Sequence, residues 1–138
     1  MIHHVQGPPR LTAQDEAVLS PVDTKLHENG WARHATVRSS LSIWFEVADG
    51  VNAYRGGVDD YTNDLTCRDH LALAVQLCPN GATQEKLARA VHDADALFKD
   101  NTVEDVGGHL GRYFRVGDTW WWHRIPRSGE LAEYLRSP

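Results

Sequence analysis

Beyond the turn dipeptide Asn80-Gly81, apolar residues recur at helical spacing: Leu87, Ala90, Val91, Ala94, Leu97 and Phe98. Lys86, Arg89, His92, Asp93 and Lys99 take the opposite face, Glu85 and Arg89 form a favourable i, i+4 pair, and Thr83 is placed to cap the start. A helix with such a face gains most of its stability by burying it against other elements. This one segment therefore commits the chain to a helical core.

A second long helix is expected from Val58, where Val58, Tyr61, Leu65, Arg68, Ala72 and Val75 share a stripe. Leu71 to Cys78 is apolar almost all round, with Gln76 the exception. That pattern marks a helix enclosed by neighbours, so this helix is expected at the centre, stopped by Pro79. Cys67 and Cys78 lie eleven positions apart in it. They would be ~16 Å apart along a helix axis, too far for the ~7 Å Cα spacing a disulfide allows. Both are expected as free thiols that pack like small hydrophobes.

Residues 34–55 fit two templates. Ala35, Val37, Ser39, Leu41, Ile43, Phe45 and Val47 alternate as in a strand, with Asp49-Gly50 as a hairpin turn. Val37, Leu41, Trp44, Phe45, Ala48 and Val51 equally make a helical stripe. The helical template accounts for apolar positions on both sides of Asp49-Gly50, and it places Trp44 inside. The strand template leaves Trp44 on the polar face. Helix is preferred; the alternative is an α+β fold in which 34–55 is a hairpin joined to the C-terminal strands. Upstream, Thr12 and Ser20-Pro21 each resemble a helix start, which suggests two short helices or one kinked helix ending before Gly30. Residues 1–10, with Gly7-Pro8-Pro9, are expected as a loose arm, and 11–138 as a single globular domain.

Length and composition agree with that plan. A chain of 138 residues can bury roughly two thirds of its unfolded surface. No apolar run of ~18 residues offers a membrane span. The first residues lack a charged stretch followed by an apolar core, so a cytoplasmic protein is the default expectation.

The remaining segment, Gly111 to Arg127, reads GRYFRVGDTWWWHRIPR. Arg112, Arg115, Arg124 and Arg127 face only Asp118, within a chain of formal charge −5, so this is the electropositive piece of an acidic protein. Its aromatic and β-branched content around Gly117-Asp118 suggests a β-hairpin of Tyr113–Val116 with Thr119–Ile125. On an extended backbone Trp120, Trp122 and Arg124 would share one face, and Trp121 and His123 the other. One face must pack on the helices, because a lone hairpin is marginal in water. At least one indole is then expected to be exposed beside arginines, a surface suited to anchoring another macromolecule. Ser128-Gly129-Glu130 leads into a short terminal helix. The fold expected overall is mainly α: a compact bundle of four to five helices with a C-terminal β-hairpin packed on it.

Chemistry-bearing motifs are sparse. No CxxC or HExxH occurs, and no two of the eight histidines stand at i, i+3 or i, i+4. Gly107-Gly108-His109-Leu110-Gly111 matches no phosphate-binding loop. Neither a metal nor a cofactor is expected. Tyr61, Asp64 and Arg68 lie on one face of the 58–78 helix and read as a structural polar clamp. Three functions follow in order of preference. The first is a protein-binding module (a regulator, adaptor or immunity or antitoxin-type inhibitor) acting through Arg112, Arg115, Trp120, Trp121, Trp122, His123, Arg124 and Arg127. The second is nucleic-acid binding by the same hairpin. The third is a hydrolase-like enzyme with Asp64, His70 and His109 converging between the hairpin and residues 58–70. Oligomeric state is not legible in the sequence.

Overall fold

The structure is a computed structural model and describes residues 7–138; the start of the expected arm, including His3 and His4, lies outside the described residues. Among the described residues five α-helices are present: α1 (Ala13–Glu28), α2 (Val37–Gly50), α3 (Val58–Leu77), α4 (Ala82–Asn101) and α5 (Glu130–Arg136). Two three-residue strands, β1 (Thr102–Glu104) and β2 (Arg124–Pro126), pair antiparallel, with Val103 opposite Ile125. The mainly helical bundle with a C-terminal antiparallel ribbon packed on it is therefore the observed fold.

Residues 34–55 are helix, and the α+β alternative does not hold. Thr36 caps α2 through a reciprocal pair with Ser39, whose backbone N–H donates to the Thr36 hydroxyl at 3.0 Å. Val37, Leu41, Trp44, Phe45, Val47 and Ala48 are all buried. A turn of 3-10 helix at Val51–Ala53 continues the segment past Gly50. α2, rather than α3, is the central element: it packs on both α3 and α4. The apolar run at the end of α3 is less enclosed than its composition suggests, since Leu73 and Leu77 are 39% and 40% exposed.

α1 is one continuous helix with Pro21 inside it, opened by a capping box between Thr12 and Asp15. α4 starts one residue after Gly81, whose φ of +154° suits glycine. The expected cap, Thr83, lies inside the first turn instead, and its hydroxyl donates to the buried Asp15 carboxylate at 2.7 Å. Lys86 joins the same carboxylate, tying α4 to α1. Cys67 and Cys78 are both free. No helix among the described residues is long and apolar enough to cross a membrane.

The C-terminal ribbon differs from the expected hairpin in which segments pair. β2 contains Arg124 and Ile125, as expected, but its partner is β1, immediately after α4, and not Tyr113–Val116. Residues 113–119 are irregular, and Trp120–His123 coil into one turn of 3-10 helix, closed by Trp122 N–H donating to Thr119 C=O at 3.2 Å. Strand propensity in aromatic residues is mostly a statement about fitting a half-buried pleated surface, and here tertiary packing overrides it. After β2 the chain crosses Asn52, whose side-chain oxygen accepts the backbone N–H groups of Arg127 and Ser128 at 2.9 and 3.1 Å. Gly129 then turns with φ +96° so close to Asn52 that a Cβ would lie 2.2 Å from its carbonyl oxygen.

Candidate functional site

The tryptophan run is bound to α3 by one carboxylate. Asp69 accepts the indole N–H of Trp121 at 2.8 Å and that of Trp122 at 2.9 Å. Both indoles are 4% exposed. The preceding residue, Arg68, lies 4.0 Å from the Trp121 ring centroid and grips Asp95 of α4 through two N–H···O bonds of 2.8 and 2.9 Å. Asp95 also accepts the Trp44 indole N–H at 2.9 Å. Three tryptophans, two carboxylates and one arginine thus form a continuous polar seam from α2 through α4 and α3 to the 3-10 turn. It satisfies indole donors that burial would otherwise leave without water.

This arrangement corrects the expectation drawn from strand geometry. On a 3-10 turn the side chains of neighbouring residues point ~120° apart rather than ~180°, so two consecutive indoles can enter one interior. Trp121 and Trp122 are covered and do not offer a contact surface. Trp120 is half-buried, with the Lys99 ammonium 4.4 Å from its ring centroid. Arg124 is also engaged: its guanidinium donates to the Thr102 hydroxyl at 2.7 Å and the Thr102 carbonyl at 2.9 Å. Arg112, Arg115, His123 and Arg127 are exposed.

The clamp residues are polar anchors with other partners than expected. Arg68 pairs with Asp95, not with Asp64. Asp64 instead accepts the Tyr54 hydroxyl at 2.6 Å, and burial pushes its carboxyl pKa up. Tyr61, fully buried, donates its hydroxyl to the Arg124 carbonyl at 2.7 Å, which fixes β2 on α3; burial pushes this phenol's pKa up as well.

Asp64, His70 and His109 do not come together. His70 is buried against α2, with Nδ1 2.9 Å from the Ser40 hydroxyl, and its ring meets the Trp31 ring edge-on at 4.8 Å. Its Nε2 has no partner, and burial pushes its pKa down. His109 sits in the distal loop, over Gly107. Asp64 and His70 stand six positions apart on α3 with separate partners, Tyr54 and Ser40, and none of the three is hydrogen-bonded to another, so the expected hydrolase-like constellation is not formed. Among the described residues, no group of three His, Cys, Asp or Glu side chains is placed to hold a metal ion.

What remains open to solvent is the loop between β1 and the tryptophan turn. Tyr113 and Phe114 are 43% and 42% exposed and are flanked by exposed Arg112 and Arg115. The loop is held from below. Asp105 accepts the backbone N–H groups of His109 and Leu110, both at 2.9 Å, and Leu110 is fully buried. Phe114 stacks parallel to Trp122, centroids 5.3 Å apart, while Gly117 passes close enough that a Cβ would lie 3.1 Å from the Trp122 ring. Arg112 donates to the Leu135 carbonyl at 2.6 Å, and Tyr113 lies 5.7 Å from the Tyr134 ring of α5. Tyr113, Phe114 and Tyr134 were not singled out by sequence reasoning. The signal available was the arginines on either side of Tyr113-Phe114. No family model matches the chain, and no curated protein or solved structure does.

Proposed function

We propose that this protein is a protein-binding module whose contact surface is the loop carrying Arg112, Tyr113, Phe114 and Arg115, with Tyr134 beside it. One observation carries the reading. Two consecutive large aromatics stand more than two-fifths exposed on a loop anchored to the core through Asp105, Leu110 and Trp122. Aromatic and arginine side chains dominate the energetics of protein interfaces, and a pre-ordered loop loses little entropy on binding. The buried tryptophans support the surface rather than form it.

The test is capture from the native host with wild type and with Tyr113→Ala/Phe114→Ala. Wild type retains a defined protein partner and the double variant loses it, with both showing the same far-ultraviolet circular dichroism. Equal recovery by both forms overturns the reading. Recovery of nucleic acid that falls steeply between about 50 and 200 mM salt, through counterion release, also overturns it, in favour of a nucleic-acid contact.

A further inference from the structure

The exposed loop borders a groove of about 630 Å³ between the start of α3 and α5. Its walls include Val58, Asp59, Asp60, Tyr113, Glu130 and Tyr134. Three of those side chains are carboxylates, and a single guanidinium, Arg55, also lines the groove. The salt bridges formed among the described residues pair other groups, so Asp59, Asp60 and Glu130 have no cationic partner there. The N-terminal end of α3 contributes a partial positive charge of about half a unit, which its own first-turn residues Asp59 and Asp60 more than offset. Asp60 also caps the helix, accepting the Gly57 N–H at 3.0 Å.

Chemically, the groove pairs anionic rims with two phenol rings and an apolar floor that includes Leu131. A long cationic side chain fits all three: the stem lies on apolar surface, the charge meets carboxylates, and the head faces an aromatic ring. An anion or an apolar helix face would each leave the carboxylates desolvated without a counter-charge. Its volume falls within the ~300–1,000 Å³ range of ligand-sized sites.

We propose that this groove seats an arginine or lysine side chain of a protein partner, next to the aromatic contact made by Tyr113 and Phe114. The proposal rests on the module reading above and names the partner's chemistry at one subsite. The partner presents an extended segment with a basic residue, and the overall acidic balance of this chain favours its approach.

The probe is an end-blocked Gly-Arg-Gly-Arg-Gly peptide, titrated into the isotopically labelled full chain at low salt, with the same peptide carrying neutral citrulline as control. The expected result is shift changes at Val58, Tyr113, Leu131 and Tyr134, with the arginine peptide binding at least about fivefold more tightly, the range of cation–π and exposed ion-pair effects. Asp59→Asn, Glu130→Gln and Tyr134→Ala each weaken it about two- to fivefold on the same grounds while the amide spectrum away from the groove stays that of the wild type. Equal binding of the citrulline peptide, or shifts spread over the acidic surface instead of the groove, overturns the proposal. So does retention of the captured host partner by Asp59→Asn/Glu130→Gln while Tyr113→Ala/Phe114→Ala loses it, a result that leaves the binding module itself standing.

Discussion

The Arg68 guanidinium lies 4.0 Å from the Trp121 ring centroid while both of its bonded nitrogens hold the Asp95 carboxylate. Arg68 is 8% exposed, so its charge depends on that carboxylate and on the π face. Its third nitrogen, Nη1, is buried without a partner, which makes the site intolerant of further loss. Arg68→Ala is expected to cost about 3 kcal/mol, because it leaves the largely covered Asp95 carboxylate with only the Trp44 N–H as partner. Arg68→Lys recovers only part of this, since an ammonium cannot reproduce the two-point bond or the stacking. Denaturant unfolding with an unchanged slope checks both values.

Asp69 serves two buried indoles at once. Asp69→Ala leaves both donors unsatisfied, at about 1–3 kcal/mol for each. The exposed loop then loses its floor, because Phe114 stacks on Trp122. The expected outcome is a less stable protein whose near-ultraviolet circular dichroism weakens and whose amide exchange rises at residues 110–119. Unchanged exchange there would separate the loop's order from the tryptophan seam.

Two buried groups link stability to pH in different windows. Burial holds the His70 pKa below its ordinary value of 6.5, with Asp23 opposing and His27 adding to the effect. The unfolded chain therefore takes up a proton that the fold resists. His70's contribution is complete above about pH 6.5 and is lost as pH falls through the folded value. Asp15 behaves as a depressed carboxyl: Lys86, Thr12 and Thr83 hold it below the usual carboxylate range. Its contribution is present above about pH 4 and fades in stronger acid. Urea midpoints measured from pH 7.5 to 3 should show the first slope vanish in His70→Leu and persist in Asp15→Asn. A His70→Leu profile that keeps the slope near pH 6 would reject the assignment.

Two glycines should respond oppositely to alanine. Gly129 combines φ +96° with a backbone oxygen 2.2 Å from any added Cβ, and neither can yield cheaply. Gly129→Ala is expected to cost at least about 1–3 kcal/mol, the range for a residue forced into such a conformation. Gly50 ends α2 with ordinary negative φ and open space around it. Gly50→Ala should stabilise by about 0.4–1 kcal/mol through the unfolded state. Calorimetric midpoints moving in opposite directions confirm the pair.

Local patterning carried most of the helical architecture. The stripe at Leu87–Phe98 and the one at Val37–Val51 mark α4 and α2, and Thr12 marks the start of α1, because periodicity and caps act within a turn or two of the chain. Gly129 likewise stands where the chain turns into α5. Those features needed no partner to be legible. The partnerships did. Arg68 has Asp64 one turn away and a carboxylate on another helix, Asp95, and only the packing of α3 on α4 chose the second. The tryptophan run has strand composition, yet Asp69 and the floor beneath it coil the run and bury two indoles together. That coiling left the exposed aromatic surface seven to nine residues upstream, at Tyr113 and Phe114, and β2 pairs with β1 instead of Tyr113–Val116. Propensity and spacing are short-range quantities, whereas the choice between competing carboxylates and between competing strand partners depends on which elements meet. Sequence alone therefore determined where the helices lie and which face α2 and α4 bury; tertiary contact decided which polar groups pair and which aromatics remain for a partner.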